Sequence, residues 1–104
     1  MSSLTRSKAI PPQTVVVVVA SGAISGQDTI GIFGEVTDIA VIPPAANTGY
    51  DFQVLDADGY PRHGKTGNVG MTNFAIGKMF HGVYTIQIGN ATGTGNFSTR
   101  IWTK

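Results

Sequence analysis

The sequence predicts an all-β protein: a single antiparallel β-sandwich, Ig-like or jelly-roll-like, of six to eight strands with an extended N-terminal arm. Three observations carry that expectation. Segments rich in β-branched and aromatic residues recur along the chain, each bounded by Gly, Pro, Asn or Asp. No segment holds an apolar period of 3.6 residues for more than about two turns. The chain has 104 residues, room for one domain, and at that length a sandwich or an open barrel buries enough surface to stand without metal or disulfide staples.

Met1 to Gln13 carries Ser2, Ser3, Thr5 and Ser7, the cations Arg6 and Lys8, and then Pro11-Pro12, with no apolar period. Residues 1–13 are therefore expected to be an arm and residues 14–104 the folded domain, with the two prolines as a stiff extended joint. Thr14 to Ala20 follows as a run of valines, whose χ1 stiffness suits a pleated strand. Both alternating faces of that run are apolar, so the strand is expected either to be buried on two sides or to meet another subunit through Val15, Val17 and Val19.

After the turn-rich Ser21-Gly22-Ala23-Ile24-Ser25-Gly26 come Thr29 to Phe33 and Gly34 to Ile42. Val36, Ala40 and Ile42 do not alternate in phase with Ile39 and Val41, which suggests a β-bulge, and Pro43-Pro44 ends the strand because proline cannot donate to a ladder. Tyr50 to Asp56 alternates with Tyr50, Phe52 and Val54 on one face, and Asp56-Ala57-Asp58-Gly59 reads as the turn that closes it. Tyr60 to Gly67 is expected to be an exposed basic connection, and Met71 to Phe74 a short strand. Gly82 to Gly89 and Asn96 to Trp102 both alternate, so they are expected to form a hairpin about Asn90 to Gly95, with the C-terminal strand tied into the sheet.

Composition narrows the function classes. Seven Lys plus Arg stand against six Asp plus Glu, a net charge of +1, and only 12% of residues are charged. No strong field steers the chain to nucleic acid or to an anionic bilayer. There is no cysteine, hence no disulfide, thiolate nucleophile or zinc thiolate site. The longest apolar run, Val15 to Ala20, is far shorter than the ~20 residues that span a bilayer. The first residues also lack the basic, apolar and cleavage regions of a signal peptide, so a soluble, unsecreted chain is expected.

Chemistry-bearing patterns are sparse. His63 and His81 are the two histidines, and neither stands in a nucleophile motif; Ser25 lacks the Gly-x-Ser-x-Gly elbow. Asp56-x-Asp58-Gly59 lacks the later ligands of a calcium loop and reads as a turn, with weak metal binding by Asp51, Asp56 and Asp58 left open. Glu35 is the sole glutamate, which leaves little for paired-carboxylate chemistry. Gly93-x-Gly95 lacks the strand-to-helix context of a phosphate cradle. The best exposed ligand candidate is the loop carrying Tyr60, Arg62 and His63, where an aromatic face beside polar groups could stack a sugar. No catalytic residue, cofactor or metal is expected.

The order Gly34-Glu35-Val36-x-x-Ile39-x-Val41-x-Pro43-Pro44, Tyr50-Asp51-Phe52-x-Val54-x-Asp56-x-Asp58-Gly59, Gly82-Val83-Tyr84-Thr85-Ile86-x-Ile88-x-Asn90-Ala91 and Arg100-Ile101-Trp102 resembles small β-sandwich virion proteins of tailed bacteriophages. The resemblance runs from Gly34 to Trp102 and carries no site residues. It implies a non-enzymatic structural protein, a capsid decoration or cement protein made in the host cytoplasm and located in the virion. The alternatives are a neck, tail or spike accessory part, or a carbohydrate-binding, host-surface adhesion module. The expected partners are protein: the major capsid protein or other virion subunits, and further copies of this chain. A docking arm is expected at Leu4, Arg6, Lys8 and Ile10, with the Val15 to Val19 strand near the contact.

Overall fold

The computed structural model describes residues 11–104, and the described residues form six strands and no helix. They are β1 (Gln13–Val19), β2 (Gly26–Ile42), β3 (Gly49–Leu55), β4 (Pro61–Val69), β5 (Thr72–Gly89) and β6 (Gly95–Thr103). All belong to one antiparallel sheet in the order β1-β6-β2-β5-β3-β4. The all-β, antiparallel expectation is therefore met.

Two long strands organise the sheet. β2 and β5 pair from Gly26↔Ile88 to Val41↔Thr72. The second half of β2 also takes β6, from Val36↔Thr103 to Ile42↔Ser98, while the last residues of β5 take β3, from Leu55↔Thr85 to Asp51↔Gly89. β1 and β4 then extend opposite ends. The bulge that the sequence suggests is present: the register of β2 slips between Val36 and Asp38 on both of its neighbours. That extra residue brings Val36 into phase with Ile39 and Val41, and all three are fully buried.

The core joins distant strands. Tyr50 on β3 meets Phe97 on β6 edge-on, with ring centroids 5.4 Å apart. Phe52 stacks on Phe74 at 5.1 Å with the planes 4° apart. Aromatic rings of this size each bury on the order of 150–250 Å², so these contacts supply much of the driving force for folding. The Tyr50 hydroxyl donates to the Gly70 carbonyl (2.9 Å) and lies 2.7 Å from Thr72 Oγ1, fastening the β4–β5 connection to β3. Burial raises the Tyr50 pKa and the Thr72 bond opposes that rise.

Four expectations are corrected. β1 is not buried on two sides: Val15, Val17 and Val19 fill the core, while Val16 and Val18 are exposed. A Cβ at Gly26 would strike the Val18 carbonyl and Gln13 Nε2 donates to the Gly31 carbonyl (2.8 Å), so β1 lies along the first half of β2. The basic connection is a strand, β4, which pairs with β3 through its backbone and turns few side chains inward, leaving no apolar alternation to read. Met71 to Phe74 and Gly82 to Gly89 are not two strands, because β5 runs unbroken from Thr72 to Gly89. Gly77 (φ 66°) and Gly82 (φ 131°) take backbone angles within it that L side chains rarely adopt.

Finally, β5 and β6 are not a hairpin, since β2 lies between them. The connecting segment is pinned elsewhere. Ala91 N donates to Ile24 O (2.9 Å), Thr92 N to Gly49 O (2.9 Å), and Gly49 N to Thr92 Oγ1 (2.7 Å). These bonds carry the chain past β3 before it enters β6. The expected tie at the C-terminal end is present, with Lys104 N donating to Glu35 O (2.9 Å).

Candidate functional site

The turn between β3 and β4 is built by Asp56. Its Oδ1 accepts from the backbone N–H groups of Asp58 and Tyr60, both at 3.0 Å, and Gly59 supplies the left-handed residue at φ 86°. This closure projects Tyr60 into solvent, 68% exposed. Arg62 lies 4.0 Å from Asp56 Oδ2, a partly exposed pair of small energetic weight.

His63, expected beside them, points the other way. Its ring packs edge-on to Phe74 at 5.1 Å and lies 6.2 Å from Phe52. Burial, reinforced by the charge of Lys78, holds its pKa below the usual imidazole value, and Nε2 is shielded from solvent without a hydrogen-bond partner. The structure therefore keeps Tyr60 and Arg62 on the surface and places His63 against the core, opposite buried Val54 at a register slip of the β3–β4 ladder. The arm residues Leu4, Arg6, Lys8 and Ile10 lie outside the described residues. Val15, Val17 and Val19 face the protein's own core, so the side chains that β1 offers outward are Val16 and Val18.

Two surface depressions lie along the β3–β4 hairpin, the smaller of them at this turn. The larger, about 660 Å³, is lined by Asp51, Gln53, Gly64, Lys65, Thr66 and Gln87 among others. Strand register supplies its amides: Gln27 pairs Gln87, Gln87 pairs Gln53 and Gln53 pairs Gly64, a row across four strands that ends at a residue with no side chain. Gln87 Nε2 donates to Gln27 Oε1 at 3.2 Å. Asp51 is held rigidly at the end of the groove. Its carboxylate accepts from Gly67 N (2.9 Å) and Asn90 Nδ2 (2.7 Å), bonds that lower its pKa. The smaller depression, about 260 Å³, is lined by Asp56, Asp58, Arg62, His81 and Val83 among others.

Sequence reasoning missed an apolar face beside the smaller depression. Phe33, Met79 and Val83 are 64%, 68% and 55% exposed, and His81 sits mid-strand with its ring edge-on to Phe33 at 5.1 Å. The alternation of Phe33 against buried Ile32 marks one of these residues as outward-facing. What brings the others beside it is the β2–β5 register, which joins residues about fifty positions apart. Among the described residues no cluster of three or more His, Asp or Glu could hold a metal ion, so Asp51, Asp56 and Asp58 do not converge. Comparison with protein-family models, curated proteins and solved structures returned no match.

Proposed function

We propose that this protein is a non-enzymatic structural subunit of a virion, a capsid decoration or cement protein that docks on the major capsid protein and stabilises the shell. The observation that carries the reading of an assembly subunit is the face of Phe33, Met79 and Val83. Large apolar side chains grouped on one side of a sheet mark a surface made to be covered by protein. The resemblance of Gly34 to Trp102 to small phage virion proteins supplies the kind of assembly. The packing of β3 on β6 through Tyr50 and Phe97 supports reading the curled sheet as a β-sandwich body. Contact with the shell is assigned to Leu4, Arg6, Lys8 and Ile10.

The test is composition of purified particles from cells that carry the gene. Quantitative mass spectrometry should find the chain in a fixed ratio to the major capsid protein. Deleting residues 1–10 should leave a folded domain that no longer co-sediments with the particles. Absence from particles, or unchanged co-sedimentation after the deletion, overturns the reading. A second reading, adhesion to a host-surface glycan, is favoured by the amide-lined groove at Gln53 and Gln87 with Tyr60 exposed on the neighbouring turn. It predicts calorimetric binding of a host polysaccharide that Gln53→Ala abolishes.

A further inference from the structure

In the β2–β5 ladder Gly31 lies opposite Val83, Phe33 opposite His81 and Glu35 opposite Met79. Directly opposed residues of an antiparallel pair share a face, so these six form one continuous outer patch. A Cβ at Gly31 would lie 3.4 Å from Phe33 Cε2. The ring therefore lies down along the sheet toward Gly31, and the patch is low and broad. At its end the rim carries one anion and one cation, Glu35 and Lys104, 3.8 Å apart and both partly exposed.

We propose that this patch is the contact through which two copies of the chain pair face to face about a two-fold axis. The inference rests on reading the protein as an assembly subunit and names what covers its apolar face. Charge selects the occupant. A patch shaped for an acidic or basic partner carries one sign at its rim, whereas this rim carries both, so a rotated second copy presents Lys104 to Glu35 and Glu35 to Lys104. The apolar centre meets the same apolar centre, as an isologous contact requires. With a net charge of +1, two copies approach without appreciable long-range repulsion. Met79, unbranched and adaptable, fills the irregularities between two nearly flat faces.

The test is sedimentation velocity of the full chain over a wide concentration range. The expected result is a reversible dimer. Phe33→Ser should weaken it by about tenfold or more, as truncating a central aromatic anchor does. Glu35→Lys and Lys104→Glu should each weaken association alone, and an equimolar mixture of the two variants should recover it, because the like-signed rims then become complementary.

A wild-type chain that stays monomeric throughout overturns the proposal. So does a Phe33→Ser dimer as tight as wild type, or a charge-variant mixture no tighter than its components. Should Phe33→Ser fail to fold by circular dichroism, Met79→Ser and Val83→Thr decide by the same readout. The virion role is separable: a monomeric chain found on particles overturns the pairing alone. A dimer broken by Phe33→Ser in a chain absent from particles overturns the virion role and supports the pairing.

Discussion

Replacing Thr99 with valine is expected to stabilise the fold by about 1–2 kcal/mol, from the cost of burying an unpaired hydroxyl. Thr99 sits in the middle of β6, opposite Val15 on β1 and Val41 on β2, and is fully buried. Its Oγ1 is shielded from solvent and has no hydrogen-bond partner. Mutational data put that burden at about 1–3 kcal/mol, and a methyl in the same volume adds up to about 0.8 kcal/mol of burial. The lower part of the sum is expected, because unfolded chains already bury some of this surface. At about 4–8 °C per kcal/mol for a domain near this size, Tm should rise by several degrees. Urea unfolding should show a higher midpoint with an unchanged m value, while Thr99→Ser, which keeps the hydroxyl and loses the methyl, should be less stable than wild type. A Thr99→Val protein no more stable than wild type would mean that the hydroxyl is satisfied in the folded state, refuting the reasoning.

Tyr50→Phe removes a donor to the Gly70 carbonyl and a partner for Thr72, and should cost about 1–3 kcal/mol in urea unfolding, with amide exchange rising first at Gly70 to Thr72. Gly70→Ala should cost roughly 1–3 kcal/mol in the same assay, because φ is +71° there and the new Cβ would sit 2.7 Å from the Ala46 carbonyl. His63 should make stability pH-dependent. Its folded pKa lies below the unfolded value near 6.5, so its contribution is fully present above that value and is lost as pH falls through the folded pKa. The groups about the ring are Phe52 on β3 with Phe74 and Lys78 on β5, and urea midpoints from pH 8 to pH 4 should fall less steeply in His63→Gln than in wild type.

Local patterns in the sequence predict most of the strands, and they fail where pairing is non-local or where a strand lacks an apolar face. The alternation of Tyr50, Phe52 and Val54 marks β3 because one face of that strand is buried. The proline pair after Ile42 and the Gly59 turn are legible because their constraints lie in the backbone of the residues themselves. β4 escapes because edge pairing needs only backbone groups, so Pro61 to Val69 carries glycines and polar residues in place of a hydrophobic stripe. The supposed hairpin after Gly89 fails because the partner of β6 is chosen by the core contact of Phe97 with Tyr50 and by the pins on Thr92, none of them near in sequence. The exposed face at Phe33 was hidden for the same reason.

The two terminal strands of the sheet bear on how copies of this chain can associate. β4 presents its outer edge with Arg62, Lys65 and the positive-φ Gly67, a polar and irregular border that disfavours addition of a further strand. β1 lies along the first half of β2, where Gln13 bonds Gly31 and Gly26 admits the Val18 carbonyl. Edge-to-edge growth is thus opposed at one border and obstructed at the other. In the β2–β5 ladder, large apolar side chains are instead left to solvent on a broad face, at Phe33, Met79 and Val83. Association by that face closes after two copies if it is isologous, whereas strand addition at an edge propagates. On the proposed pairing, an apolar broad face beside a polar β4 edge yields a closed contact in place of a growing one.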